Sequence, residues 1–440
     1  MTDWLLVQPP DSPYYSRRHT RLAPDLSPPL SLAYLAGALE AADLRAELLD
    51  LRLYEEPFAA FSAELSRRAP RAIGITAMTP NFPAAAALAR LAREAMPEVP
   101  LVVGGYHPSA LPEEAVATSC FDAAVIGEGE ETIVELTHAF RRHSAELAAV
   151  AGIAYRAPSG EIVRTAPRPA RDLVRLDRAL EPKRNGFDAA AYPVHAIVTS
   201  RGCPRRCIFC TLGYQQGRER VRPIGTVLAE VSALREHFGV NEFFVHDDNF
   251  SADRRRAKAL CAALSAAGLD VRWGCEVVAR DVDEELAEAL VAAGCSHVML
   301  GVESGNAEVL RATKKGIRLD HAENAVRTFA AVGMPSITCS FIVGHPQDTP
   351  ETVRETFDFA LRLKSLGATK IRVGAMTPFP GTALYHSPEE HGIRILTKDW
   401  VEYVPTKIVM ETRHLEKGEI GSLLVEGLLQ FADELQRCNS

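Results

Sequence analysis

Short apolar runs alternate with longer amphipathic ones along most of this chain, and their lengths mark out the elements. In the first 140 residues the runs DWLLVQPP, RAELLDL, RAIGITAM, PLVVGGYHP and FDAAVIGEGE are each followed by a stretch such as PPLSLAYLAGALEAAD or PAAAALARLAREAM. The short runs are strand-length, and the apolar spacing of three and four in the longer ones is that of one helix face. Five strand–helix units in series predict an α/β fold, a doubly wound and mostly parallel sheet covered on both faces. Ligands of such sheets lie beyond the carboxyl ends of the strands. The turns SPPLS, TAMTPNF, GGYHPS and GEGEE fall there.

From about residue 192 a second series begins, with strand-like runs HAIVTS, EFFVHDDNF, RWGCEVV, HVMLGVES, SITCSFIVG and KIRVGAM separated by helical stretches. Six such units predict a partial (β/α)6 barrel with its site at the carboxyl mouth. Before it, residues 151–165 alternate about a Pro-Ser-Gly turn, as a β-hairpin does. The Pro- and Arg-rich stretch that follows reads as a packed linker, since Leu173, Val174 and Leu176 are apolar. After 385 come a strand-like TKIVME and a final amphipathic helix. The expected divisions are 1–145, 146–190, 191–385 and 386–440.

Composition narrows the class. Of 440 residues 47% are hydrophobic and 24% charged, with a net charge of −8, as in ordinary globular proteins. A nucleic-acid partner would call for a basic footprint, so none is expected. No apolar run reaches the roughly 18 to 20 residues of a membrane span, and MTDWLLVQPPDSPYY is not a secretory signal. A cytoplasmic location is the expectation. Nine cysteines in no regular framework argue against secreted disulfides, and Cys261, Cys295 and Cys339 read as small buried apolar residues.

Three cysteines stand apart. SRGCPRRCIFCTLGY places Cys203, Cys207 and Cys210 directly after the first strand of the second series. A structural zinc site takes four ligands. His195 lies on an alternating strand, where it reads as a core residue rather than a fourth ligand, so zinc stays open without explaining the triplet. A [4Fe–4S] cluster usually takes four thiolates; three leave one iron free to bind something else. The loop resembles that of the radical S-adenosylmethionine (SAM) enzymes, in which C-x3-C-x2-C follows the first strand of a partial barrel and an aromatic residue, here Phe209, precedes the last cysteine. The resemblance implies a [4Fe–4S] cluster whose open iron chelates SAM. VHDDNF (245–250) matches the end of the family's second strand, where Asp247 and Asp248 either contact SAM or cap a turn. GVESGN (301–306) matches the fourth, where Glu303 either accepts from the two ribose hydroxyls or forms a structural salt bridge. FIVGHPQDT (341–349) resembles the loop near adenine, implicating Ser340 and Gly344, and MTPFPGTALY (376–385) resembles the stretch after strand six.

A doubly wound domain ahead of such a barrel resembles the cobalamin-binding radical SAM enzymes, class B methyltransferase-like. PPLSLAYLAGALE (28–40), GGYHP (104–108) and VIGEGEETIVEL (125–136) carry the likeness. It places Pro28, Leu30, Thr76, Gly104, Gly105, His107, Gly127, Glu128 and Gly129 against the corrin, although turn geometry alone accounts for each glycine. The D-x-H-x-x-G string that supplies a lower axial histidine is absent, and His19 has the wrong context. Base-off cobalamin without His ligation is therefore expected. The resemblance implies a C-methyltransferase. One SAM gives methylcobalamin, and a second gives a 5′-deoxyadenosyl radical that activates an unactivated carbon. The electron donor would be a flavodoxin or ferredoxin. A small-molecule substrate, of secondary-metabolite type, would meet Tyr214, Arg218 and Trp400; a solvated basic strip or plain packing are the rival readings of these residues. Relatives that close rings or rearrange without methyl transfer are the first alternative, and a non-catalytic cobalamin- or zinc-binding protein is another. A methylthiotransferase would carry three more cysteines up front, whereas Cys120 is the only one before Cys203.

Overall fold

The computed structural model describes residues 2–14, 26–141, 144–170, 182–211 and 218–437. The chain divides into two compact units: Met1–Pro193 with Asp399–Val404, and Val194–Lys398 with Pro405–Ser440.

The first unit is built on a seven-stranded sheet. Its strands are β1 (Trp4–Gln8), β2 (Ala46–Asp50), β3 (Ala72–Thr76), β4 (Leu101–Gly104), β5 (Ala123–Val125), β6 (Ile153–Arg156) and β7 (Ile162–Arg164). They lie in the order β2-β1-β3-β4-β5-β6-β7, and β1 to β5 are parallel. Helices α1 (Leu30–Ala41), α2 (Pro57–Arg68), α3 (Phe82–Ala95), α4 (Tyr106–Ala110), α5 (Pro112–Ala117) and α6 (Glu130–Arg141) link them. The run Trp4-Leu5-Leu6-Val7 is wholly buried, as a central strand covered on both faces must be. The Trp4 indole donates to Thr137 Oγ1 at 2.7 Å and ties β1 to α6. The hairpin does more than bridge to the next unit: β6 pairs antiparallel with β5 and completes this sheet. The packed stretch expected at Leu173, Val174 and Leu176 lies outside the described residues.

The second unit holds a six-stranded parallel sheet of β8 (His195–Ile197), β11 (Glu242–Val245), β12 (Arg272–Val277), β13 (Cys295–Glu303), β14 (Ser336–Val343) and β15 (Lys370–Ala375). Its order is the sequence order, so β8 and β15 are edges. Two short strands, β9 (Ser200–Arg201) and β10 (Arg220–Val221), pair beside it. Helices α7 (Ile224–Phe238), α8 (Arg254–Ala267), α9 (Glu284–Ala292), α10 (Ala307–Ala312), α11 (Leu319–Ala331) and α12 (Pro350–Ser365) cover the outer face. Asp253, Asp283 and Thr349 cap α8, α9 and α12 through their side chains, satisfying amide groups that a helix start leaves free. Strand residues that face these helices, including Val245, Trp273, Cys275, Val298 and Cys339, form one core. Cys261, Cys295 and Cys339 are buried there as small apolar side chains, at 1%, 2% and 0% exposure. Short α13 (Ala383–His386), the antiparallel pair β16 (Ile393–Ile395) and β17 (Met410–Thr412), and α14 (Lys417–Arg437) complete the unit. Among the described residues no helix is long and apolar enough to cross a membrane.

Candidate functional site

The three-cysteine loop leaves the carboxyl end of β8, and two acids just after β11, one buried and one half-buried, hold its start. Asp247 accepts from Thr199 N and Oγ1, both at 2.5 Å, and from Ser200 N at 2.9 Å and Oγ at 2.8 Å. Arg256 donates to Thr199 O at 2.8 Å. Asp248 accepts from Gly202 N at 2.7 Å, and burial pushes its carboxyl up to about 6. Within the loop Arg205 reaches Asp281 at 2.8 Å and Lys315 O at 3.1 Å, while Ile208 N donates to Thr313 O at 3.1 Å. Asp247 is thus committed to positioning the loop, whereas Asp248 sits beside the first cysteine and accepts one hydrogen bond among the described residues.

Cys207 is buried, and Cys203 and Cys210 are half-buried. Burial pushes the thiols of Cys203 and Cys207 up, so a bound cation is needed to keep them as thiolates. Among the described residues no three His, Cys, Asp or Glu side chains converge on a single ion. Three thiols on a pinned loop suit a cluster, in which each thiolate takes its own iron.

Opposite the loop, Glu303 ends β13 with φ of +73°, a left-handed backbone uncommon for non-glycine residues. Its carboxylate pairs with the Lys315 ammonium. Burial works against that ammonium, but Glu303 overcomes it and holds the group above its usual value. The His345 Nε2–H donates to Glu303 O at 3.3 Å, and the His345 ring meets Phe209 edge-on at 6.0 Å. Asp348 accepts from the amides of Gly344 at 2.9 Å and His345 at 2.8 Å, shaping the turn after β14. Ser340 lies on β14 opposite Gly301. Phe209, Glu303 and Gly344 are thereby linked through His345, whose buried Nδ1 has no partner among the described residues. Such an orphaned atom beside the loop fits a polar ligand. Sequence reasoning missed Lys315, His345 and Asp348, although the last two stand inside the quoted FIVGHPQDT.

In the first unit the carboxyl ends of β3, β4 and β5 form a platform of backbone. Ala77 N donates to Gly104 O at 2.7 Å. Gly105 has φ of +108°, and a Cβ there would meet Ala77 O at 2.6 Å, so only glycine fits. Gly127 N donates to Ser109 Oγ at 2.9 Å, and a Cβ on Gly127 would meet nothing within 4 Å. Thr76, Glu128 and Gly129 are half-buried around it, as is Leu30, while Pro28 is buried at the head of α1. Met78, on the same edge, is 49% exposed. An open apolar edge with accessible backbone amides suits a flat, amide-bearing macrocycle.

Two expected contacts are corrected. His107 has no exposed surface: it stacks on Phe82 at 4.2 Å and meets Trp400 edge-on at 5.1 Å. Neither ring nitrogen has a partner among the described residues, and burial lowers its pKa to about 4. It is packed between Phe82 and Trp400 rather than exposed in the turn where the resemblance placed it. Trp400, expected at the substrate, is buried in the first unit, where its indole donates to Glu114 at 3.0 Å. Arg218 is exposed and Tyr214 lies outside the described residues. Nearby Arg222 is buried and pairs with Glu230 at 2.6 Å.

With this geometry in place, comparison with known proteins gives the class. Residues 197–360 match the Radical SAM superfamily and residues 22–137 match the B12 binding domain. The chain belongs to the cobalamin-binding radical SAM enzymes of methyltransferase type, with a [4Fe–4S] cluster, SAM and cobalamin as cofactors. An uncharacterized methyltransferase of Pyrococcus horikoshii is 30% identical over 97% of this chain and 92% of that one. The anaerobic magnesium-protoporphyrin IX monomethyl ester cyclase of Rubrivivax gelatinosus is 28% identical over 92% and 73%. Among solved structures, the radical SAM methyltransferase TsrM from Kitasatospora setae, with cobalamin and a [4Fe–4S] cluster bound, superposes with a TM-score of 0.75 at 20% identity, covering 90% of this chain and 78% of that one. That likeness is one of fold.

Proposed function

We propose that the protein moves a methyl group from SAM to an unactivated carbon of a small molecule, an intermediate of secondary metabolism. The observation that carries this reading is the three-cysteine loop pinned by Asp247 and Asp248 at the mouth of a six-stranded sheet, in a chain that also holds the glycine platform. When bound, the cluster and cobalamin supply reductive cleavage of SAM and carriage of the methyl group, respectively.

The protein's own part is to bind and orient. Cys203, Cys207 and Cys210 hold the cluster, and Asp247, Arg205 and Arg256 keep their loop in place. Glu303 accepts from the ribose hydroxyls while Lys315 balances its charge. Asp248, Phe209, Ser340 and Gly344 line the rest of SAM. Pro28, Leu30, Thr76, Gly104, Gly105, Gly127, Glu128 and Gly129 receive the corrin. The burial of His107 beneath Trp400 favours base-off cobalamin without a histidine ligand. Tyr214 and Arg218 are the substrate candidates on the loop after Cys210. The electron donor is a flavodoxin or ferredoxin, and the reaction takes place in the cytoplasm without nucleic acid. The cyclase relative favours one second reading, ring closure without methyl transfer.

The test is anaerobic reconstitution with iron, sulfide and hydroxocobalamin, followed by a strong reductant, SAM and mass spectrometry. A methyltransferase gives both 5′-deoxyadenosine and S-adenosylhomocysteine, the first lost when the three cysteines become alanine. 5′-Deoxyadenosine alone, with cobalamin bound, supports ring closure or rearrangement instead.

A further inference from the structure

β15 is an edge strand, and its side chains separate by face. Ile371 and Val373 pack against the helix-covered core, which turns Lys370 and Arg372 to the inner face of the sheet. Arg372 reaches inward over its neighbours, with Nη1 3.9 Å from the sulfur of Met299 on β13. Register places Lys370 opposite Thr338 and Arg372 opposite Ser340 on β14. His297 joins them from β13 with Nε2 3.0 Å from Thr338 Oγ1.

Neither cation has a carboxylate partner among the described residues, although arginines on the outer helices do, as Arg354 with Glu426 and Arg362 with Glu323. Glu276 on β12 shares the inner face and attracts Arg372 at longer range, but burial is the larger influence and pushes its carboxyl up, which weakens it as a counter-charge. The His297 imidazole is held below its usual value by burial, with Lys370 and Arg372 adding to the effect. It is therefore neutral, with Nε2 engaged by the Thr338 hydroxyl. Two cations without a direct carboxylate contact among the described residues, beside a neutral imidazole and two hydroxyls, make an anion-binding surface.

We infer that the inner face of this edge binds an anionic group, a carboxylate or a phosphate, carried by the substrate. The inference rests on the proposed reading of the protein as a methyltransferase acting on a small molecule, and it adds the substrate's chemical class. Charged residues on an edge strand also deter edge-to-edge pairing, but that role does not require a guanidinium turned inward over Met299.

Binding to the reconstituted holoenzyme, without turnover, keeps this test apart from the one above. Phenyl phosphate, phenylacetate and the neutral benzyl alcohol are titrated by calorimetry in chloride at constant ionic strength. At least one anion is expected to bind tenfold or more tightly than benzyl alcohol, and the better of the two identifies the substrate's anion. Lys370→Gln and Arg372→Gln each weaken that anion at least fivefold, Arg372→Lys recovers part of the loss, and Arg327→Gln on the outer helix α11 changes nothing. Far-UV circular dichroism verifies folding. Anions bound no tighter than the alcohol, or equally well by a folded K370Q/R372Q double variant, would overturn the inference even where 5′-deoxyadenosine is formed.

Discussion

Asp247 holds Ser200 twice over, accepting its amide at 2.9 Å and its hydroxyl at 2.8 Å within a fully buried pocket. The same carboxylate takes both donors of Thr199, so four bonds converge on one group three residues before the first cluster cysteine. Asp247→Asn keeps the shape but turns an amide NH2 toward donors. Hydrogen bonds to charged groups and buried unsatisfied donors together set the cost at about 2–4 kcal/mol. Iron and sulfide per reconstituted chain should fall, and the thermal midpoint should drop. A variant that loads a full cluster would show that the loop holds itself.

Lys315 and Glu303 form a buried pair, and breaking one leaves a charge without compensation. Lys315→Met should destabilise by about 3–5 kcal/mol. The double variant with Glu303→Gln should recover part of that loss, since the stranded charge is gone. Comparing denaturant midpoints across the four proteins gives the coupling. SAM affinity should fall in both Glu303 variants, a readout a purely structural pair would not move.

His107 makes the first unit sensitive to acid. Its folded pKa of about 4 lies below its ordinary value of 6.5, with burial as the cause. Above pH 6.5 the group is neutral in both states, and its contribution is complete. As pH falls from 6.5 to 4, the unfolded chain takes up a proton that the folded His107 refuses, so stability declines by on the order of 3 kcal/mol. His107→Phe should flatten this slope in urea midpoints followed by tryptophan fluorescence between pH 4.5 and 7.5. Trp400→Ala, by uncovering the ring, should raise the imidazole pKa toward its ordinary value when read by NMR. An unchanged slope in the phenylalanine variant would show that other groups carry the pH dependence.

Gly105→Ala places a Cβ 2.6 Å from Ala77 O on a backbone at φ +108°. Strain and collision together should cost about 2–4 kcal/mol. Cobalamin retained after gel filtration should fall with it, while iron content, which depends on the second unit, should not. Gly127→Ala, where nothing lies within 4 Å, should be milder for stability, though its φ of +79° still disfavours alanine. A reduced cobalamin occupancy in that variant would mark the space above Gly127 as corrin space.

Most of the architecture was legible because its signals are local. Strands such as Trp4–Gln8 and Ser336–Val343 are short apolar runs, and a covered parallel sheet needs little else to declare itself. The cysteine loop is equally local, since one loop must carry three ligands. Partner choice across long separations was not legible. No spacing rule links Glu303 to Lys315, twelve positions on. Nothing near Trp400 reveals that it covers His107 within the same unit, 293 positions earlier in the chain, and its burial there could be seen only once the chain was folded. Lys370 and Arg372 escaped notice for a different reason: two cations on a short strand look like ordinary surface until the sheet order makes that strand an edge.

The placement of Asp399–Val404 in the first unit also sets an order in time. Glu114 is synthesised 286 residues before the indole it holds. At ribosomal rates of about 5–20 residues per second, that is a wait of roughly 15 to 60 s. The amino-terminal unit therefore leaves the ribosome with its His107 face uncovered and is completed only after the whole barrel has been made, so the last part of the chain finishes the first.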